Sequence, residues 1–272
     1  MKSKKLIITL ILTVFTLLIL VVVLKFNQSE KEKRYEFIKS EAKVLEIENT
    51  KITGISHNTT KSNVNTKIKN KSDKILRNIS IDYVELDENQ NKISTKQVPV
   101  EISLKKDEKA LITIIPQNYT YTIEIIGYSY ESEDYSVNVN LDENNTSVQK
   151  LSDLEEKKQE LEDMVRYDIL EIYDFKYIDD TSYNVKIKNN SQKNLGNIIL
   201  KVAEKNSEGE YISVSNVSNN SALKAKNFSR LILNSTDKAN TLEIIGYTYD
   251  DIENKSNIDI DLKTNTASIV RN

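Results

Sequence analysis

Few side chains in this sequence could carry out catalysis. The chain has no cysteine and a single histidine, His57, which excludes thiolate nucleophiles, Cys-ligated zinc, disulfides and His-rich metal sites. Enzyme sites also need convergent groups with shifted pKa values. Neither a phosphate-binding Gly-rich loop nor carboxylate pairs recurring at strand ends are present, and His57 lies in a polar turn. The sequence therefore predicts no catalytic, cofactor or metal site and a non-enzymatic protein.

One segment partly matches a calcium-binding loop. Asp87, Asn89 and Asn91 have the alternate spacing with which such a loop begins. The loop pattern then fails, because its sixth position is Lys92 instead of glycine and its twelfth is Val98 instead of glutamate. A second acidic turn contains Asp250, Asp251 and Glu253. We interpret both segments as solvated turns.

Charge argues against nucleic acid as the main ligand. Beyond residue 24 the chain carries 35 basic and 41 acidic side chains, a net charge of about −6. Binding to a phosphate backbone requires a clustered basic surface. The composition, rich in Lys, Ile and Asn, is typical of AT-rich bacterial genomes.

The segment from Leu6 to Leu24 is apolar and uncharged, and it follows three lysines, at positions 2, 4 and 5. Nineteen helical residues span roughly 28 Å, close to the thickness of the bilayer core. No small-residue cleavage site follows, and the next residues are Lys25 and Phe26. The segment predicts an uncleaved signal anchor, residues 1–26, that contacts the membrane through residues 6–24. A cleaved signal peptide and a buried core helix are the alternatives.

Orientation follows from the basic residues that flank the apolar segment. Basic residues also lie on its other side, but acidic residues accompany them there. The positive-inside rule then favours a cytoplasmic N-terminus and export of the rest of the chain. The predicted location is the cell membrane, with a single pass and extracytoplasmic C-terminal modules.

The rest of the sequence contains an internal repeat. Residues 66–72, TKIKNKS, return as residues 185–191, VKIKNNS. Residues 124–130, EIIGYSY, return as residues 243–249, EIIGYTY. Both pairs are 119 residues apart, and the offset is 121 where Leu141 matches Leu262. Such a constant spacing predicts a duplicated domain, with length changes confined to loops.

A charged segment without Gly or Pro precedes each repeat. Ser29 and Ser152 are each followed three residues later by a glutamate, the pattern of a capping box that opens a helix. We predict a helical stalk at residues 27–43 and a helical linker at 151–167. Each is a charged spacer, or alternatively half of a helix pair with another chain.

Alternating apolar residues predict strands within each repeat. The predicted strands are 64–68, 79–84, 111–115, 123–130 and 137–141 in the first copy and 183–187, 198–202, 231–233, 242–249 and 258–262 in the second. About seven short strands in some 105 residues match an immunoglobulin-like β-sandwich. The predicted fold class is therefore mainly β, with β-sandwich repeats at residues 44–150 and 168–272, each preceded by a short helix.

The order of an Asn-x-Ser turn, an Asn-Ile strand, an acidic turn and Ile-Ser resembles bacterial extracytoplasmic immunoglobulin-like domains of the FxLYD family. The resemblance covers residues 62–115 and 181–234. The family's Phe-x-Leu-Tyr-Asp string is replaced by residues 81–87, IDYVELD, and 200–206, LKVAEKN. The resemblance thus implies an architecture and no ligand.

The Gly-Tyr-x-Tyr string is the best-preserved part of the repeat. Gly127 and Gly246 predict a bulge or a close backbone approach, and the paired tyrosines predict packing at a core edge. A tyrosine-based binding surface is the alternative interpretation.

These features favour an envelope protein that presents two modules to a protein or cell-wall partner. Two alternatives are a ligand-sensing or accessory ectodomain of a membrane complex and an accessory protein of an exported hydrolase. The absence of Trp argues against the hydrolase accessory, since binding carbohydrate calls for an aromatic platform.

Overall fold

The computed structural model describes residues 25–26, 28–55, 63–151 and 169–271, without the side chains of the last two of these residues. The segment predicted to cross the membrane, His57 and the predicted linker helix lie outside the described residues. Among the described residues, no helix is both long and apolar enough to cross a membrane. The chain divides into two compact units, Met1–Val44 and Leu45–Asn272.

The first unit contains one described helix, α1, with helical residues at 25–26 and 28–41. The stalk was predicted to be helical, and it is. The predicted start at Ser29 is wrong, because helical residues precede Ser29 and it lies inside α1. Gln28 donates a side-chain hydrogen bond of 3.1 Å to Glu32 one turn later.

The second unit is mainly β. We call residues 45–151 the first half and residues 169–271 the second half. The first-half strands are β1 (Leu45–Ile47), β2 (Lys51–Thr53), β3 (Val64–Asn70), β4 (Arg77–Leu86), β5 (Lys92–Pro99), β6 (Lys109–Ile114), β7 (Thr122–Glu131), β8 (Tyr135–Asn140) and β9 (Asn145–Lys150). The second-half strands are β10 (Leu170–Tyr177), β11 (Ser182–Asn189), β12 (Leu195–Lys205), β13 (Tyr211–Asn219), β14 (Phe228–Asn234), β15 (Thr241–Asp251), β16 (Ser256–Asp261) and β17 (Thr266–Arg271).

All ten predicted strands correspond to observed ones. The strands without a prediction include β9 and β17, where Asn, Thr and Ser interrupt the apolar pattern, and β5 and β13, whose side chains are mostly polar. Strand pairing holds these segments in place through backbone hydrogen bonds, which do not depend on side-chain polarity.

The two halves use the same strand order. In the first half, β5-β4-β7-β8-β9 form one sheet, with β2 added beside β7, and β1-β3-β6 lie together in the other. In the second half, β13-β12-β15-β16-β17 and β10-β11-β14 take the corresponding places. A parallel bridge between Ala110 in β6 and Tyr211 in β13 joins sheets of the two halves into one of eight strands.

The apolar core of the second half is made of its own residues. Every buried member of this cluster lies between Leu170 and Ala267. Successive side chains of a strand point to opposite faces of the sheet, and this alternation produces the core. On β11, Tyr183, Val185 and Ile187 point inward, while the residues between them are half-buried. Full burial of one such aliphatic side chain is worth about 1.5–3 kcal/mol.

Candidate functional site

The two glycines of the repeated string lie at bulges, as predicted. The register of β4 against β7 shifts between Asp82 and Tyr83, where Gly127 lies opposite Asp82. A Cβ atom on Gly127 would be 2.6 Å from the carbonyl oxygen of Val139. Gly246 occupies the same kind of bulge and closely faces the carbonyl oxygen of Ile260. No larger residue fits there without moving backbone.

The tyrosines that follow these glycines are core residues. Tyr128 and Tyr130 are each 1% exposed, and their rings stack 6.3 Å apart. Tyr247 and Tyr249 repeat this arrangement with a ring separation of 6.2 Å. Burial raises the pKa of Tyr249 to about 12, with a further contribution from the charge of Asp251. The interpretation of these tyrosines as packing residues is confirmed, since their rings offer no surface to a partner.

Two buried asparagines close corresponding loops. The Asn70 side chain donates hydrogen bonds of 2.7 and 2.9 Å to the carbonyl oxygens of Lys74 and Leu104. Asn189 donates to the corresponding carbonyls, of Lys193 and Leu223, at 2.7 and 3.1 Å. Both asparagines are fully buried, and each also accepts from the serine two residues later. The repeated Asn-x-Ser therefore stabilises a loop.

Two buried glutamates were missed by the sequence interpretation. Glu85, at 0% exposure, accepts hydrogen bonds from Ser94 and Lys96 at 3.0 Å. Glu204, 119 residues later, accepts bonds of 2.7 Å from Asn240 and from both the backbone and the hydroxyl of Thr236. The sequence did contain a signal for these two glutamates. Glu85 follows Val84 and Glu204 follows Ala203, so an acidic residue directly after an apolar one recurs at the repeat spacing of 119. Each carboxylate attaches the loop before β7 or β15 to its sheet.

Hydrogen bonds within the second unit organise both acidic turns. The Asp87 carboxylate accepts from the backbone N–H groups of Asn89 and Asn91, both at 2.8 Å. Asp251 accepts from the backbone of Glu253 and Asn254 in the same way. The alternate spacing of Asp87, Asn89 and Asn91 is therefore explained by hydrogen bonds that stabilise a turn. Within the described parts of the chain, no group of three His, Cys, Asp or Glu residues could hold a metal ion.

The most concentrated polar cluster lies where the two halves meet. Its centre is the Tyr211 hydroxyl, which donates to Glu243 at 2.8 Å and lies 3.1 Å from Glu108. Lys263 donates to Glu108 at 2.5 Å and to the Tyr211 hydroxyl at 2.9 Å. Lys205 lies 2.7 Å from Glu243. We call these five residues the polar junction.

Burial sets the electrostatics of the polar junction. It raises the pKa of the Tyr211 phenol, and the neighbouring carboxylates raise it further. Burial lowers the pKa of Lys263, although the bond to Glu108 opposes this effect. Burial alone would raise the pKa of Glu243. The hydrogen bonds from Lys205 and Tyr211 have the larger effect, and they hold the pKa of Glu243 below its usual value. The ammonium groups of Lys205 and Lys263 also lie 4.4 and 4.3 Å from the centre of the Tyr211 ring.

Further polar contacts extend the junction. Glu210, 2% exposed, lies 3.0 Å from the ammonium of Lys67 in the first half. Ser103 donates 2.8 Å to the carboxylate of Asp261. Each of these pairs joins one residue of each half, so they add to the polar contacts between the halves.

Sequence comparison could not identify the junction as a site, because four of its five residues do not recur between the halves and only Glu243 has a counterpart, Glu124. At the repeat spacing, Tyr211 corresponds to Lys92 and Glu108 to Asn227. Lys263 corresponds to Asp142 at the offset of 121. The duplicated residues described above maintain each half, whereas the junction, apart from Glu243, uses residues particular to one copy.

A cleft of about 1120 Å³ lies beside the junction. First-half residues that line it include Arg77, Glu101 and Ser103, and second-half residues include Lys201 and Asp259. Lys201 donates hydrogen bonds of 2.7 and 2.8 Å to the two carboxylate oxygens of Asp259. Its charge is therefore already paired within the wall of the cleft.

Comparisons with known proteins identify no family for this chain. No protein-family model matches it, and no curated protein does. Among solved structures, a red sea bream transglutaminase is 9% identical with a TM-score of 0.20, and the alignment covers 79% of this chain and 28% of that enzyme. A calcium-binding mutant of Bacteroides uniformis β-glucuronidase 2 is 8% identical with a TM-score of 0.18, covering 80% of this chain and 27% of the other. Such similarity supports no assignment of fold or function.

Proposed function

We propose that this chain is a membrane-anchored, exported and non-enzymatic protein of the bacterial cell envelope. It presents two tandem immunoglobulin-like β-sandwiches to a protein or cell-wall partner. The apolar segment at residues 6–24 is its anchor, and the polar junction holds the two modules together as one ectodomain.

The observation that carries this proposal is the role of the repeated residues. Asn70 and Asn189 make the same hydrogen bonds, Glu85 and Glu204 each fix the same loop, and Gly246 lies at the same bulge as Gly127. Each repeated group is engaged in architecture. Because a fold does not by itself specify a function, we assign the function of this protein to the surfaces that the duplicated scaffold presents.

The strand order also supports the immunoglobulin-like assignment. Three strands, β10-β11-β14, face a sheet in which β12 and β15 are central neighbours. This arrangement corresponds to the two sheets of a small sandwich of that class. The first half repeats it with β1-β3-β6 and with β4 beside β7.

Protease treatment of intact spheroplasts tests the topology. We expect cleavage of everything after about residue 30, with a cytoplasmic marker protein left intact. Protection of both modules would contradict an extracytoplasmic ectodomain. Affinity recovery of the anchored chain from its own envelope, compared with a chain that lacks residues 45–272, then tests whether the modules carry the partner contact.

The cleft between the halves favours a second candidate, a ligand-sensing or accessory ectodomain. Its volume of about 1120 Å³ could receive a small molecule, and both halves line it. This candidate predicts that a ligand changes the reactivity of side chains in the cleft. A presentation module requires no such change.

A further inference from the structure

The second half has an unpaired strand edge at a place where the first half has a strand neighbour. In the first half, β6 lies between β3 and β13, which it meets at the bridge of Ala110 with Tyr211. The corresponding strand of the second half, β14, pairs with β11 and ends its sheet. Among the described residues, no strand pairs with the other side of β14.

Hydrogen-bond alternation shows which backbone groups this edge exposes. The Asn189 N–H donates to the Asn227 carbonyl at 2.9 Å, and antiparallel pairs alternate in bonding along a strand. The groups of Ser229 and Leu231 therefore face β11. Those of Phe228, Arg230 and Ile232 face away from it, as donors and acceptors for an added strand.

Four side chains of β14 are exposed, and two of them, Phe228 and Ile232, are apolar. Phe228 is 59% exposed and Ile232 is 58% exposed, with the exposed Arg230 between them. Proteins usually shield a sheet edge with charges, proline or a covering segment, and here one arginine provides the charge. In the described part of the chain, Arg230 has no acidic partner within salt-bridge distance.

Neighbouring cations on the same sheet are neutralised. Lys186 lies 2.7 Å from Asp174, and Lys188 lies 3.4 Å from Glu171. Arg230 is thus the cation of this sheet face that is left for an outside carboxylate.

The first half indicates the chemistry of a suitable partner. There, the segment that meets the β6 edge is acidic, and its residues Glu208 and Glu210 lie 3.6 and 3.0 Å from Lys67. Lys186 occupies the position of Lys67 in the second half, 119 residues later, but Asp174 already pairs with it there, so Arg230 is the cation left for an acidic segment. The β6 edge thus already receives an acidic segment of the same molecule, formed by the turn before β13 and the first residue of that strand.

A second copy of the chain fits this edge poorly. The segment of a second copy that corresponds to the start of β13 is the start of β5, where Lys92 replaces Tyr211 and Asn91 replaces Glu210. It would bring a lysine towards Arg230, and the acidic residues of this turn, Asp87 and Glu88, lie farther from the start of the strand than Glu208 and Glu210 do, which makes the charge match poorer.

We propose that the β14 edge binds an extended acidic segment of a partner protein by strand addition. The backbone groups of Phe228, Arg230 and Ile232 pair with that segment, and Arg230 receives one of its carboxylates. This inference rests on the proposed function, because it specifies where an envelope protein is contacted.

The test uses the full chain in lipid nanodiscs and a dye-labelled peptide of its residues 206–219. This peptide carries Glu208, Glu210 and Tyr211, the residues that meet the first-half edge. Fluorescence anisotropy measures binding, and hydrogen–deuterium exchange over residues 224–235 locates it. We expect saturable binding, with slower exchange in β14.

Two variants separate charge from backbone pairing. Arg230→Glu should weaken binding at least tenfold, and a peptide with Glu208→Lys and Glu210→Lys should bind this variant better than it binds the natural chain. Ile232→Pro removes an N–H that faces away from β11, so the internal pairing is kept and binding should also fall at least tenfold. Thr113→Pro, the matched change on β6, should leave binding unchanged.

Absence of peptide binding, or binding that Arg230→Glu and Ile232→Pro both leave unchanged, overturns the proposal. So does a concentration-dependent dimer that protects β14, because a second copy then fills the edge. If the anchored chain still recovers an envelope partner when Arg230 is Glu, the contact lies elsewhere and the proposed function stands. If protease treatment of intact spheroplasts left both modules uncleaved, the proposed function itself would be contradicted.

Discussion

Gly246 lies against the carbonyl oxygen of Ile260 on the neighbouring strand, with no space for a Cβ atom between them. Ile260 lies on β16, while on the other side of Gly246 the register of β12 against β15 shifts, and the buried rings of Tyr247 and Tyr249 follow directly. The glycine is therefore required by the position of another backbone and not by its own turn conformation.

Gly246→Val should destabilise the second half by roughly 1–3 kcal/mol, because backbone must move to admit the side chain. Thermal unfolding of the two proteins measures the loss. Tyr247→Phe with Tyr249→Phe serves as the comparison, and we expect it to retain any envelope partner. If the tyrosine variant melted normally but lost its partner, the string would be a binding surface.

Tyr211→Phe should destabilise the full chain by about 1–3 kcal/mol, since the buried Lys263 and the half-buried Glu243 each lose a hydrogen-bond partner. Urea unfolding measures the change. Tyr119→Phe is the matched control, because Tyr119 is 84% exposed and its substitution should be neutral. An equal effect of both changes would show that the polar junction adds nothing to stability.

A fragment of residues 166–272 should fold alone, because its apolar core draws only on its own residues. Circular dichroism of the β type and a cooperative melt are the expected results. In this fragment Tyr211→Phe should cost less than in the full chain, since Glu108 is absent. A fragment that stays unfolded while residues 27–272 fold would show that the halves depend on one another.

Stability should fall in acid, in part through Glu204. Burial acts to raise the pKa of this carboxyl, but its bonds from Asn240, Thr236 and Ser213 dominate and hold the pKa below its usual value. The stabilisation is complete above the unfolded pKa of about 4.3 and is lost as the pH falls through the folded pKa.

Glu204→Gln should therefore cost about 1–3 kcal/mol at pH 7 and less at pH 3. Urea unfolding at the two pH values measures the difference. The matched control is Glu133→Gln, at an exposed position, which should be neutral at both. The difference in unfolding free energy between Glu204→Gln and the natural protein should be smaller at pH 3 than at pH 7. An equal difference at both pH values would contradict the role assigned to this carboxylate.

Much of the β architecture follows from the sequence because its determinants are local. Alternating apolar residues mark the inward face of strands such as β11, and the repeat aligns strands between the halves without any structure. The glycines of the repeated string could be assigned to bulges, since glycine inside a strand pattern has few other uses. Strands such as β9 were missed because they are held by pairing with a neighbour and not by an apolar face.

The sequence by itself determined the mainly β class, the apolar segment at residues 6–24 and the bulge positions of the repeated glycines, whereas the burial of the repeated tyrosines, which the sequence only predicted, was decided by the structure. Only the tertiary structure decided that Tyr211, Glu108 and Lys263 meet, because contacts between residues more than a hundred positions apart leave no periodic signal. The free edge of β14 was also beyond the sequence. Whether a strand has a neighbour depends on how the sheets of the two halves join, and no residue within the strand records it.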